Sequence, residues 1–134
     1  MKIVWLDCDQ GRFPSDIPKG VQTLIAANPA DLVTVAPVHA EHLVLTYSHA
    51  LDLELCHRLL GRGFRTLGLI GSATKWARFR KRLVALGHGE RQIDQITCPI
   101  GDPGLGKHPQ AISLSVAAVL IKAESGTAAL GKRA

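Results

Sequence analysis

The residues most able to do chemistry lie between Gly71 and Arg82. A short apolar run, Leu67 to Ile70, breaks at Gly71-Ser72, and after the break Trp76, Phe79, Leu83 and Leu86 recur at steps of three and four. That change of period predicts a strand turning through Gly-Ser into a helix. Such a turn leaves backbone N–H groups free where the chain quits the sheet, and with the helix dipole they favour an anion. Ser72 is placed to cap the helix, Thr74 follows it, and Lys75, one turn in, can reach back toward the same point. Lys75, Arg78 and Arg82 share a neighbouring face, giving the helix a basic stripe beside its apolar one. The plain alternative is an ordinary strand-turn-helix with solvated charges.

Other groups fall at similar boundaries. Asp7 ends an apolar run and could take a ribose hydroxyl, although no glycine-rich turn precedes it. Thr46, Ser48 and His49 stand where a strand gives way to a helix, Ser48 at the N-cap, and a neutral imidazole at His49 can both donate and accept. Gly101-Asp-Pro-Gly-Leu-Gly106-Lys107 fits the first seven places of a phosphate-binding P-loop, but the eighth is His108 where Ser or Thr would hold magnesium. An anion-binding loop without magnesium chemistry is the better reading. His39 and His42 are spaced for a metal but lack further ligands, so they read as a solvated pair and no metal site is expected. No Ser-His-Asp or Cys-His arrangement can be assembled.

The elements that must position these groups alternate. Ile3 to Leu6 reads as a buried strand, followed by an irregular connection through Gly11, Pro14, Pro18 and Gly20 with Phe13 as a plug over the core. Val21 to Ala27 is a helix or strand, stopped by Asn28-Pro29, and Leu32 to Ala36 a further strand. His42 to Thr46 is a strand, and Leu51, Leu55 and Leu59 with Leu53, Cys56 and Leu60 give the next helix a broad apolar face, ended by Gly61 and Gly63. Asp52 complements that helix's dipole. Gln92 to Ile96 reads as one or two helical turns. Pro109 opens a last helix with Ile112, Val116, Val119, Leu120 and Ala123 as its buried stripe. The pattern predicts an α/β fold, Rossmann-like, with a mostly parallel sheet and flanking helices, in which ligands sit at the carboxyl ends of strands. Residues 1–124 form one domain and 125–134 a flexible tail.

With 134 residues, 46% hydrophobic and 20% charged, the chain can bury one core. A net charge of +5 favours anionic partners, but six aromatic residues are too few for a base-stacking platform and no nucleic-acid motif is present. Three widely spaced cysteines suit reduced thiols in the cytoplasm. No apolar run has the ~18 residues of a membrane span.

Together these segments resemble the C-terminal Rossmann-like domain of the xanthine dehydrogenase accessory proteins, the XdhC/CoxI family. The resemblance rests on Trp5-Leu-Asp7 with Phe13-Pro14, and on Thr46-Tyr-Ser-His49 with Leu51-Asp52. It continues in Gly68-Leu-Ile-Gly-Ser-Ala-Thr-Lys75 with Arg78-Phe79 and Arg82-Leu83, in Cys98-Pro-Ile-Gly101, and in Gly106-Lys107 through Pro109, Ile112, Ser115 and Ala117-Ala118. It implies a chaperone, not a catalyst, that binds molybdenum cofactor, shelters it during sulfuration and delivers it to a xanthine-dehydrogenase-type molybdoenzyme, with a cofactor-sulfurating protein as a second partner. The cofactor's phosphate would suit the Gly71-Ser72 turn, Lys75 and the loop of Gly101, Gly106 and Lys107, while Thr46, Ser48 and His49 would meet its polar edges; Asp7 and Thr74 complete the expected cofactor-binding set. An NAD(P)- or nucleotide-binding oxidoreductase-like domain, or a domain retaining only the fold, is the alternative. The sequence departs from the family in having no N-terminal domain and no glycine-rich first βα unit, in Val119 where an acid is usual, and in Asp102-Pro103. The absent strand would lie at the sheet's centre beside the strand ending at Asp7, which implies a homodimer or a rearranged sheet.

Overall fold

The computed structural model describes residues 2–101, 103–105 and 108–124. Among the described residues five strands run in two parallel sheets. In the first, β1 (Ile3–Asp7) pairs with β2 (Val21–Ile25), Ile3 opposite Val21 and Asp7 opposite Ile25. In the second, β3 (Glu41–Val44) and β5 (Ile96–Thr97) flank β4 (Thr66–Leu69). Val44 lies opposite Leu69, and Leu67 opposite Ile96. Strand β3 leads through α1 (His49–Arg62) into β4, and β4 through α2 (Ala73–Ala85) and the short α3 (Glu90–Ile93) into β5. These are the alternating units of a Rossmann-type fold, as expected.

The core belongs to the second sheet. All four residues of β4 are buried, the signature of a central parallel strand covered on both faces. Leu55, Cys56, Leu59 and Leu60 of α1 and Phe79 and Leu83 of α2 pack against Val44, Leu67, Leu69, Ile93 and Ile96. A Cβ on Gly68 would overlap the side chain of Ile100, so the glycine is a packing requirement. Gly63 ends α1 with φ of 100°. The last helix, α4 (Pro109–Glu124), begins at Pro109 as expected and lays Ile112, Val116, Val119 and Leu120 on Ile100 and Ile70 as a smaller cluster.

Several expectations need correction. Leu32 to Ala36 is no strand: Asn28 accepts a hydrogen bond from the Ala30 N–H and opens a 3-10 helix, Pro29–Val35, which buries Ala30 and Val33 against α1. Cap chemistry overrode β propensity there. Ile96 belongs to a strand, because pairing with Leu67 offered its buried backbone a ladder that a helix turn would not. Strand β1 is not buried. Every residue of β1 and β2 is exposed or half-buried, and Ile3 and Val4 are 45% and 48% exposed. Phe13 is buried, but edge-on to Trp5 with ring centroids 5.4 Å apart, so it plugs the small sheet and not the main core. The reason is topological. Among the described residues the strands form two separate sheets, and β1 and β3 each pair on one side only.

Away from the strand ends, α1 and the turn after α2 are joined by His57 Nδ1 and His88 Nε2, 2.6 Å apart. One ring must donate and the other accept, so a second proton breaks the bond and sets two charges together. Burial, and then His57, push the His88 pKa below its ordinary 6.5; burial alone does the same to His42, which is half-buried and not the solvated partner of His39 that its spacing suggested. As pH falls through 6.5 the unfolded chain takes up protons before the folded one, so stability present above that pH is lost toward the lower folded pKa values. The urea midpoint should therefore drop between about pH 7 and about pH 5. The drop should be smaller in His88→Gln, and a wild-type midpoint flat across that window would contradict this account.

Candidate functional site

The carboxyl ends of β3 and β4 point at the first turns of α1 and α2, and one ion pair is buried between them. Asp52 on α1 is 1% exposed and Lys75 on α2 has a side chain 10% exposed, with Nζ 2.8 Å from Asp52 Oδ2. The same Nζ donates to the Ile70 carbonyl at 2.8 Å, and Asp52 Oδ1 accepts the Thr46 N–H at 2.9 Å. Both charges are thus paired and hydrogen-bonded, the condition under which burial of an ion pair is tolerated. The stem of Lys75 crosses Gly71 closely: a Cβ there would come 2.5 Å from Lys75 Cδ. Glycine at 71 is what lets the lysine fold back to Asp52.

Above this pair lies a cavity of about 300 Å³ lined by Leu45, Thr46, Tyr47, His49, Asp52, Ile70, Gly71, Ser72 and Lys75. A smaller one of about 130 Å³ adjoins it, sharing His49, Ser72 and Lys75 and adding Thr74, Arg78 and Phe79. Ser72 is the N-cap of α2 and its Oγ accepts the Lys75 N–H at 3.1 Å. The amides of Ala73 and Thr74, in the helix's first turn, have no partner within the helix and are the donors an anion would meet. Their cavity-lining neighbours Gly71, Ser72, Thr74, His49 and Thr46 come together as the sequence suggested.

Other expected site residues are placed differently. Lys75 lines both cavities, but its Nζ gives two hydrogen bonds to Asp52 and the Ile70 carbonyl, so its charge is compensated by the buried carboxylate. The Thr46 hydroxyl donates to the Ser48 carbonyl at 3.0 Å and accepts the Ser48 N–H at 3.1 Å, so it shapes the loop. Ser48 caps α1 by accepting the Leu51 N–H at 3.2 Å and does not line the cavity. Asp7 sits on the other sheet, its Oδ1 accepting the Cys8 N–H at 2.7 Å. Gly101 has φ of 99° and a Cβ there would overlap Ser115 Oγ on α4, so it serves packing and is not a lining residue. Gly106 and Lys107 lie outside the described residues. Among the described residues no group of three or more His, Cys, Asp or Glu side chains could hold a metal ion. Cys56 lies beneath the site, its thiol pushed up to about 12 by burial and then by Asp52, which leaves it protonated and inert.

Sequence reasoning missed the roles of Asp52, Tyr47 and Arg12. Asp52 could be read as a dipole partner; nothing in its spacing announced a lysine twenty-three residues on. Tyr47 is 62% exposed, lines the larger cavity, and carries the Arg12 guanidinium over its ring with Cζ 3.7 Å from the centroid. The Cys8 thiol stands 3.8 Å from its phenol oxygen. That hydrogen bond, with the Cys8 charge next, raises the Tyr47 pKa above its ordinary value. These contacts are where the carboxyl end of β1 meets that of β3.

A family model described as the XdhC Rossmann domain matches residues 1–120. Among solved structures the chain is similar to one described as a xanthine dehydrogenase from Bacillus halodurans, at 22% identity with a TM-score of 0.67, covering 92% of this chain and 36% of that one. The chain therefore spans about a third of that protein's length, and the likeness is one of fold. No curated protein matches.

Removing one member of the buried pair, as in Lys75→Met, should cost about 3–5 kcal/mol of unfolding free energy. Asp52→Asn with Lys75→Met should cost less than the sum of the two single changes, a non-additivity read from urea denaturation. Gly71→Ala should cost about 1–3 kcal/mol by displacing the lysine stem; a neutral effect would show that the stem has another path.

Proposed function

The chain belongs to the XdhC Rossmann domain family, and from that premise we propose that it holds molybdenum cofactor during maturation of a xanthine-dehydrogenase-type enzyme. The observation that carries the reading is the groove over the first turn of α2. It joins helix N-terminal amides and the Ser72 hydroxyl to a cavity of about 300 Å³ bordered by His49 and Tyr47, the lower end of the size range of small-molecule sites. The amides and Ser72 fit a phosphate, and the half-apolar wall of Leu45, Ile70 and Tyr47 fits the flat face of a pterin. Loaded, the cofactor supplies the metal chemistry of the enzyme that receives it.

This chain's own part is to bind and shelter. The Ala73 and Thr74 N–H groups take the anionic end, His49 offers a donor or acceptor at the pterin edge, and Leu45 and Ile70 exclude water from one wall. Lys75 acts from below by fixing the strand ends. The role is that of an accessory carrier and not of an enzyme, in the cytoplasm, with the molybdoenzyme and a cofactor-sulfurating protein as partners. A second copy of the chain completes the reading, since the open edges of β1 and β3 are templates for further pairing. Light scattering at micromolar protein should then give twice the 14.4 kDa chain mass, and a clean monomer would count against the dimer.

The test is retention of pterin fluorescence after gel filtration of the chain mixed with cofactor released from a molybdoenzyme, with NAD, NADP and ATP as competitors. Retention should survive the nucleotides and weaken about tenfold in Ser72→Ala, the worth of one hydrogen bond to a charged group. Ser72 is the better probe than Lys75, whose loss unseats Asp52. Displacement by a nucleotide would move the protein to the dinucleotide-binding class.

A further inference from the structure

The groove must attract an anion, yet the cation at its floor is spent. Lys75 is neutralised by Asp52 at 2.8 Å and buried with it, so the pair adds little net field to the cavity above. Positive charge has to come from the rim. Arg12, in the turn after β1, lines neither cavity itself but holds its guanidinium over the ring of Tyr47, a residue that lines the larger one. It forms an ion pair with Asp7, Nε to Oδ1 at 3.6 Å, a separation beyond hydrogen-bond length that leaves the guanidinium's donors uncommitted to that oxygen, which takes the Cys8 N–H at 2.7 Å. A guanidinium offers five donors in a planar fork. Stacking on Tyr47 occupies its face and leaves its edge, the part that grips phosphate.

We propose that Arg12, held flat on Tyr47, is the phosphate-recognising cation of this site, and that the site selects phosphorylated planar heterocycles over their unphosphorylated counterparts. The assignment rests on the reading of the groove as a ligand site given above, but not on which heterocycle fills it. Arg78 lines the smaller cavity and is the competing candidate. Arg12 is favoured because its ring partner borders the larger space, beside Thr46 and Gly71. The merely structural alternative is that the stack only pins the β1–β2 sheet to the core.

The two roles separate in a binding experiment with guanosine 5′-monophosphate and guanosine as probes, followed by calorimetry and by the Arg12 Nε resonance of arginine-labelled protein. Wild type should prefer the monophosphate by about tenfold or more, the scale of a charge-assisted hydrogen bond. Titration with it should shift the Arg12 resonance. Arg12→Ala should lower the preference several-fold, to what the helix amides and Ser72 supply, while leaving guanosine affinity within about twofold, whereas a pinning role would weaken both probes alike. Arg12→Lys should recover only part of the preference, since an ammonium lacks the planar fork. A preference absent in wild type, undiminished in Arg12→Ala, or lost in Arg78→Ala instead, overturns the proposal. Molybdenum cofactor, measured alongside by retained fluorescence, keeps the readings apart. Cofactor retained equally by wild type and Arg12→Ala would sink this proposal and leave the carrier role standing. A lowered monophosphate preference in Arg12→Ala with no cofactor retained by wild type would do the reverse.

Discussion

The site depends on the ion pair between Asp52 and Lys75. An acid in the first turn of one helix and a base in the first turn of the next are buried together. Each then collects a backbone group from a strand end, Thr46 N–H on one side and the Ile70 carbonyl on the other. Two strand-to-helix junctions far apart in sequence are thereby held in register: the end of β3 with the start of α1, and the end of β4 with the start of α2. A hydrophobic pair in the same place would pack as well but would leave the strand-end amide and carbonyl without partners at the point where the sheet stops supplying them. The polar solution gives the carboxyl edge a fixed shape.

That arrangement changes how the basic character of α2 is understood. Read linearly, Lys75, Arg78 and Arg82 form one stripe of equivalent charges. In the fold they divide. Lys75 turns inward across Gly71 and becomes part of the scaffold, while Arg78 stays at the groove. The glycine before the serine therefore matters less for the anion than for the lysine. It is a gap through which an aliphatic stem passes on its way to a buried carboxylate.

Much of the architecture was legible because it was written in local signals. Periodicity located α1, α2 and α4; Ser48 and Ser72 marked their starts, and Gly63 and Pro109 their boundaries. The cavity-lining turn of Gly71, Ser72 and Thr74 could be named for the same reason, since a strand-turn-helix junction is a local event. What could not be read was long-range. The Asp52–Lys75 pair, the stacking of Arg12 on Tyr47, and the packing duty of Gly101 against Ser115 each join residues whose proximity only the fold creates. Strand β1 misled in the opposite direction: Ile3 to Leu6 is as apolar as a central strand, yet only β2 pairs with it. A run of apolar residues records the burial a strand is suited to, and the cover must come from elsewhere.

The split sheet divides the rim of the groove between two bodies of unequal stability. Asp7 and Arg12 ride on the β1–β2 pair, which shares no residue with the main buried cluster, while Thr46, Ser72 and Lys75 belong to that cluster's own elements. Opening the smaller body breaks the stack on Tyr47 but uncovers little core, so its free energy lies well below that of global unfolding. Any ligand that touches both sides of the rim then acts as a clasp, and by linkage its binding energy is also the energy that keeps the β1–β2 leaf closed.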